Sequence, residues 1–335
     1  MDFDLVFLGT SGSMPTPRRA PTALLVRRGG ERLLFDCAEG TQRQLLKSTV
    51  GLIELREIFL THYHADHYLG LPGMLKTFAL RGRELPMTIY GPPGLRDLFG
   101  SLRRIFGRLT YGYELVELLP GDILVRDGYE LRMFAVDHGV SAVGYAFVED
   151  VRPGRFDVGT ADALGVPPGP ERGALQGGEE VHLPDGRVVT AEEVLGPPRR
   201  GRKLVLTGDT APCPGVVEAA YDADVLVHEA TFLEDERERA QDTSHSTAAD
   251  AAGIALEAGV GLLALTHLSN RYSGREAAEE ARAVFAETVV PRDFDIIDLP
   301  FRERGVPRLV KGAAIHRREG APVEVGAQVG EETES

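Results

Sequence analysis

The apolar run Ile58-Phe59-Leu60 leads directly into Thr61-His62-Tyr63-His64-Ala65-Asp66-His67-Tyr68, so His62, His64, Asp66 and His67 fall within six positions. A short apolar run followed by an amphipathic stretch over residues 69–80 reads as a buried strand passing into a helix. Polar groups at the C-terminal end of such a strand lie where α/β folds place their chemistry. In an extended segment the two-residue step from His62 to His64 puts both imidazoles on one side, Asp66 continues the alternation, and His67 opens the helix. Imidazole nitrogen and carboxylate oxygen suit zinc, and manganese or iron less selectively. Four such groups exceed what one tetrahedral ion with an open position uses. The cluster therefore predicts two metal ions, further ligands from elsewhere in the chain, and a metalloenzyme.

The rest of the chain repeats the strand–helix alternation. Strand-like runs fall at residues 5–8, 23–26, 32–35, 57–60, 131–136 and 143–148, with helical patterns at 39–47, 69–80 and 94–106. From Lys203 onward, strands at 204–206, 225–227 and 262–265 alternate with helices at 216–221, 247–258 and 275–286. This predicts residues 1–149 and 203–303 as the two halves of one α/β domain. Residues 150–202 break the pattern with Arg152-Pro153-Gly154, Pro167-Pro168-Gly169-Pro170, Gly177-Gly178 and Pro197-Pro198. They are expected to form an inserted, protruding arm; a disordered linker is the plainer alternative. Residues 304–335 read as a tail whose last ten or so positions are disordered.

No run of about 18 apolar residues is present, which excludes a membrane-spanning helix. The acidic start Met1-Asp2-Phe3-Asp4 lacks the basic and apolar regions of a secretory signal. Cys37 and Cys213 form no metal-type pair or disulfide framework, so a reducing, cytoplasmic location is expected. A net charge of −14 opposes a polyanionic partner unless basic groups cluster. They do cluster: residues 150–203 hold eight Lys/Arg and nine Asp/Glu, but the base of the arm gathers Arg152, Arg155, Arg199, Arg200, Arg202 and Lys203. A second group is Arg96, Arg103, Arg104 and Arg108, which equally reads as a solvated helix face.

Three further ligand candidates, His138, Asp209 and His267, each follow a strand-like run. Any one alone would be a cap or a core residue; together with the first cluster they point to one metal centre. His228-Glu229-Ala230-Thr231 also follows a strand, and Ser244-His245-Ser246-Thr247 precedes a helix for which Ser246 or Thr247 is the N-cap. Taken alone, His245 is as readily a surface histidine. His182 and His316 receive no role.

These residues resemble the metallo-β-lactamase superfamily and, within it, the ribonuclease Z family. The resemblance is carried by Phe7-Leu8-Gly9-Thr10-Ser11-Gly12, Phe35-Asp36-Cys37-Ala38-Glu39-Gly40-Thr41-Gln42, the His62–His67 cluster, Tyr90-Gly91-Pro92, His138-Gly139 and Pro167-Pro168-Gly169-Pro170. Gly208-Asp209-Thr210, His228-Glu229-Ala230-Thr231, His245-Ser246-Thr247 and Thr266-His267-Leu268-Ser269 continue it over roughly residues 3–300. It implies an αβ/βα four-layer sandwich and two Zn²⁺ per subunit, with Mn²⁺ or another divalent ion as the alternative. One ion would be held by His62, His64 and His138, the other by Asp66, His67 and His267, with Asp209 bridging. It further implies removal of the 3′ trailer from precursor tRNA, leaving a 3′-hydroxyl and a 5′-phosphate. Asp66 would orient water and take its proton, and His245, held by Glu229, would be the general acid. Substrate contacts are expected from Arg18, Arg19 and Arg271 and from Arg152, Arg155, Arg199, Arg200 and Arg202, with the protein a homodimer. After Pro15-Thr16-Pro17 the family often has Arg-Asn where this chain has Arg18-Arg19, in a loop resembling one that meets the RNA end.

The alternative is a hydrolase of the same fold acting on lactones, thioesters or small phosphodiesters, which needs neither the arm nor the Glu229/His245 pair. A diiron oxidoreductase of this fold usually carries glutamate at the second position of the cluster, where this chain has His64.

Overall fold

The computed structural model describes residues 2–52 and 55–312. The expected disorder of the last ten residues, and His316, lie outside them.

The chain builds one sheet, then a second, then returns to the first. Strands β1 (Phe3–Gly9), β2 (Ala23–Arg28) and β3 (Glu31–Phe35) form an antiparallel meander, joined in parallel by β4 (Glu57–Phe59), β5 (Met87–Gly91) and β6 (Tyr113–Glu117). The second sheet repeats the plan: β7 (Ile123–Arg126), β8 (Tyr129–Ala135) and β9 (Val143–Glu149) meander. After a two-residue hairpin, β10 (Val181–His182) and β11 (Val188–Val189), strand β12 (Lys203–Leu206) pairs antiparallel with β9. Strands β13 (Val225–Glu229), β14 (Leu262–Thr266) and β15 (Thr288–Val289) extend that sheet in parallel. Finally β16 (Ile296–Asp298) and β17 (Arg308–Val310) cross back to the free edge of the first sheet beside β1.

Period-two alternation decides the layers. In β1, Phe3, Leu5 and Phe7 enter the core between the sheets, while Val6 and Leu8 face the outer helices. Helices α1 (Thr41–Lys47), α2 (Ala65–Tyr68), α3 (Leu71–Leu80) and α4 (Leu95–Phe106) belong to the first half, and α1, α3 and α4 cover its sheet. The hairpin segment carries α5 (Val158–Ala163), α6 (Pro170–Gln176) and α7 (Ala191–Val194). Helices α8 (Pro214–Ala220), α9 (Arg237–Asp242), α10 (Ala248–Ala258) and α11 (Gly274–Arg282) complete the chain, with α8, α10 and α11 on the second sheet. The result is an α/β/β/α sandwich. Its inter-sheet core buries Phe3, Phe7, Phe35, Phe59, Tyr129, Tyr145 and Phe147, each large side chain stabilising by roughly 1.5–3 kcal/mol relative to exposure.

Residues 151–202 are more regular than the glycine and proline density suggests. Their three short helices and hairpin enclose a small core of their own: Ala161, Val166, Leu175, Val181, Leu183, Val189 and Val194. The breakers punctuate elements rather than abolish them. The two legs of this segment pair with each other through Arg152↔Arg199 and Phe156↔Leu195, prolonging the β9–β12 ladder. Strand β17 lies within residues read as tail, and the edge strands β6 and β7 escape the alternation rule because both of their faces are partly exposed.

Candidate metal centre

Both sheets present the ends of their strands at one edge. The loop after β4 carries His62 to His67, and β8, β12 and β14 end just before His138, Asp209 and His267; Glu229 closes β13. Register aligns them: Leu206 pairs with Val227, and Glu229 with Thr266, so Asp209, Glu229 and His267 emerge side by side. A one-residue slip would turn each side chain to the opposite face.

The atoms converge on one carboxylate oxygen. Asp209 Oδ2 lies 3.8 Å from His62 Nε2, 3.3 Å from His67 Nε2, 3.8 Å from His138 Nε2 and 3.2 Å from His267 Nε2. Asp66 Oδ2 lies 3.1 Å from His267 Nε2 and 3.8 Å from His67 Nε2. His64 turns its Nδ1 to within 3.0 Å of His138 Nε2. The ligand-type atoms of His62, His64 and His138 lie within 4.8 Å of one another, and so do those of Asp66, His67 and His267.

Each inward-facing Nε2 is set by a partner at Nδ1. His67 Nδ1 meets Asp36 Oδ2 at 2.8 Å, His62 Nδ1 meets Thr61 Oγ1 at 3.1 Å, His138 Nδ1 meets the Ser244 carbonyl at 2.9 Å, and His267 Nδ1 meets Thr231 Oγ1 at 2.8 Å. Such outer partners fix ring orientation and raise ligand basicity. Sequence reasoning assigned no role to Asp36, Thr61, Ser244 or Thr231. Asp36 had a signal: it follows β3, whose Phe35 pairs in parallel with Phe59, and its carboxylate receives the Thr61 N–H at 2.8 Å. Asp36 and His267 both hold left-handed backbone, at φ 58° and 56°, a strain that persists only where surroundings impose it. Two glycines give the cluster room. A Cβ on Gly12 would stand 2.7 Å from His267 Nδ1, and one on Gly208, at φ +65°, would stand 2.8 Å from Thr61 Cβ.

The donor set fits divalent cations. His62 Nε2 is buried with no hydrogen-bond partner among the described residues, although its ring is fully enclosed. Burial and the nearby His67 hold His62 well below the usual histidine range. Burial would lower His67 too, but Asp209 and Asp36 prevail and raise it well above that range. Burial would raise Asp66 and Asp209, but the surrounding histidines, His267 foremost, hold both carboxylates below their ordinary range. Five imidazoles and two ionised carboxylates, nitrogen and oxygen only, form a site for borderline ions such as zinc.

Beside this cluster stands a separate pair. Glu229, fully buried, accepts from His245 Nδ1 at 2.7 Å and from the Thr210 and Thr231 N–H groups at 2.8 and 3.2 Å. Burial would depress His245, but Glu229 outweighs it and brings the imidazole up to about 9. Its Nε2 has no partner among the described residues. The pair can therefore hold a proton at the rim of the metal cluster at neutral pH. Ser246 donates to the Thr210 carbonyl, and Thr247 caps α10, accepting from Asp250 N.

Most of the sequence-nominated arginines are engaged elsewhere. Arg202 is 3% exposed and grips Glu149 at 2.7 Å. Arg152 and Arg199 share Glu303, Arg200 holds Asp222 and Asp224, and Arg271 holds Glu236. Arg19 donates to Thr10 and the Pro291 carbonyl. Arg18 and Arg155 have no side-chain partner among the described residues. His182, on the hairpin, is far out on the surface and meets Glu180 at 3.3 Å.

Comparison with known proteins agrees with this geometry. Residues 16–291 match the family model of the metallo-β-lactamase superfamily. Ribonuclease Z of Methanosarcina acetivorans is 44% identical over 89% of this chain and 98% of its own length. Ribonuclease Z of Myxococcus xanthus is 47% identical over 89% of this chain and 98% of its own length. Among solved structures, the short form of human tRNase Z superposes with a TM-score of 0.64 at 28% identity, covering 89% of this chain and 99% of that one.

Proposed function

We propose, because this chain belongs to the ribonuclease Z family of the metallo-β-lactamase superfamily, that it removes 3′ trailers from precursor tRNA, leaving a 3′-hydroxyl on the tRNA and a 5′-phosphate on the trailer. The observation that carries this reading is the buried Glu229–His245 pair at the rim of a ligand cluster for two ions. A thiolate departs from a thioester without a dedicated proton donor, whereas a ribose 3′-oxygen is a poor leaving group that must be protonated.

In this reading His62, His64 and His138 would hold one zinc ion and Asp66, His67 and His267 the other, with Asp209, whose Oδ2 faces four imidazoles, as the ligand common to both; manganese or another divalent ion is the alternative. Two such ions, when bound, polarise a phosphate and activate water near neutral pH. The chain's own groups do the rest. Asp36, Thr61, Ser244 and Thr231 keep the imidazoles aimed inward. Asp66, ionised and tethered by the Ser13 N–H at 2.7 Å, orients the attacking water and accepts its proton. Glu229 keeps His245 protonated, and His245 gives that proton to the departing 3′-oxygen in line with attack.

Residues 150–202 serve as the tRNA-binding arm, with Arg155, and Arg18 at the cleft loop, free to meet phosphate directly. Arg152, Arg199, Arg200 and Arg202 root the arm through Glu303, Asp222, Asp224 and Glu149, and Arg19 and Arg271 shape the cleft loops. The enzyme acts as a cytoplasmic homodimer; no helix among the described residues is long and apolar enough to cross a membrane.

Incubation with Zn²⁺ and a precursor tRNA carrying a 3′ trailer, followed by mapping of both new ends, tests the reading. A 3′-hydroxyl on the tRNA and a 5′-phosphate on the trailer are expected. An uncut trailer with turnover of a lactone or thioester would overturn it.

A further inference from the structure

We propose that the exposed face of α4 is a track for the phosphodiester backbone of the RNA on the 3′ side of the cut; this rests on the nuclease reading above. Three observations converge on it.

The first is local charge. The chain as a whole has 37 Lys/Arg against 51 Asp/Glu, but residues 39–112, which include α1, α3 and α4, have ten against six. This helical layer is thus a positive face on an acidic protein, the condition for holding a polyanion at one place.

The second is which cations remain uncompensated. Arginines elsewhere, such as Arg200 and Arg302, hold carboxylates. Arg103, Arg104 and Arg108 are exposed and have no ion pair among the described residues. The Arg96 guanidinium donates to the Leu115 carbonyl and forms no ion pair among the described residues, while Glu117 accepts from the Arg96 and Gly94 backbone N–H groups at the start of the helix. Helical spacing puts Arg96, Arg103 and Arg104 (i, i+7, i+8) along one side, with Arg108 just beyond the end. The opposite side is fixed in the core by Leu95, Phe99, Leu102 and Phe106. Asp97 is the one carboxylate on the helix. Ile105, 73% exposed, adds an apolar contact that an unstacked base can use.

The third is position. The Tyr63 hydroxyl, between His62 and His64, donates to the Pro92 carbonyl, and a Cβ on Gly94 would lie 3.5 Å from the Tyr63 ring. The N-terminus of α4 therefore packs on Tyr63, on the segment that carries the metal-ligand cluster, and the helix runs on for 12 residues, about 18 Å. The proton donor His245 belongs to the rim supplied by the second sheet. His245 must face the 3′-oxygen, which stays with the tRNA body. The phosphate-bearing trailer then leaves over the opposing rim, formed by Tyr63 and the start of α4.

Steady-state cleavage by the full chain of precursors with trailers of about two and about twelve nucleotides tests this. The wild type should show a KM about tenfold lower for the long trailer, and the triple variant R103E/R104E/R108E should lose that advantage while cutting the short-trailer substrate within about twofold of wild type. The salt dependence of log KM for the long trailer should weaken by about 2 for three lost phosphate contacts. The milder R103Q/R104Q/R108Q variant should lose most of the advantage and provides the same readout where the charge reversal impairs folding. Trailer length without effect on the wild type, an advantage retained by both variants, or equal weakening on both substrates would overturn the track. Failure of the wild type to cut either substrate would instead overturn the nuclease reading.

Discussion

The first sheet delivers His62, His64, Asp66 and His67 from the one segment that follows β4, whereas the second sheet delivers His138, Asp209, His245 and His267 from four loops and Glu229 from the end of β13. Both halves begin with a meander of three antiparallel strands and continue into parallel ones, but the first turns parallel at β4 whereas in the second β12 is still antiparallel to β9. Their contributions differ in what holds them in place. The loop cluster is organised locally, by Asp36 and Thr61 behind two of its rings. The dispersed set depends on the mutual register of β12, β13 and β14. In the proposed mechanism the metal ligands, with Asp66 as proton acceptor, draw on both halves, whereas the general acid His245 and its partner Glu229 come from the second alone.

The largest effect is expected from removing the residue on which both halves converge. Asp209→Ala deletes the oxygen shared by four imidazoles. Metal content, read by atomic emission, should fall, and tRNA cleavage should drop at least about a thousandfold, since a Lewis-acid contribution is worth several kcal/mol. Full activity with both ions retained would mean that the loop cluster suffices by itself. His245→Ala then separates the duties of the second half. Cleavage should slow by about 10²–10⁴-fold with metal content unchanged. Loss of metal alongside activity would make His245 a ligand and dissolve the division.

A third change tests the joint between the halves. Glu149 on β9 is gripped by Arg28 of β2 at 2.9 Å and by Arg202 at 2.7 Å, and Arg202 also donates to the Leu299 carbonyl. Burial would raise the Glu149 carboxyl, but hydrogen bonds from Arg202 and Arg28 prevail and hold it below its ordinary range. Because the folded value is depressed, the stabilisation is complete above the unfolded glutamate range and is lost as pH falls through the folded value. Glu149→Gln should destabilise by about 3–5 kcal/mol at neutral pH, by leaving guanidinium groups buried without their countercharge. In urea titrations the wild-type and variant midpoints should converge as the medium is acidified; a gap independent of pH would assign the effect to packing. The mildest change acts behind the ligand segment of the first half. Asp36→Asn should weaken metal affinity by about 10–100-fold, read by chelator competition, with the fold intact.

Much of this was legible along the chain. Short strand-like runs such as residues 5–8 and 57–60 identified buried strands, and the spacing of His62 to His67 identified the cluster, because both patterns are local in the chain. His138, Asp209 and His267 were legible as strand-end polar groups. The short edge strands and the small core of residues 151–202 were not, since half-exposed strands carry no clean alternation and that core closes only when Ala161, Leu175 and Val194 meet. Chain order alone fixes which residue types can serve the site and which strands bring them to one edge. Only the tertiary structure decided that Asp209 Oδ2 would face four imidazoles, that Asp36 and Thr231 would aim them, and that Arg202 would be buried on Glu149 while Arg103 and Arg104 stay uncompensated. Such choices depend on register between strands and on burial against distant carboxylates, distances that chain order does not encode.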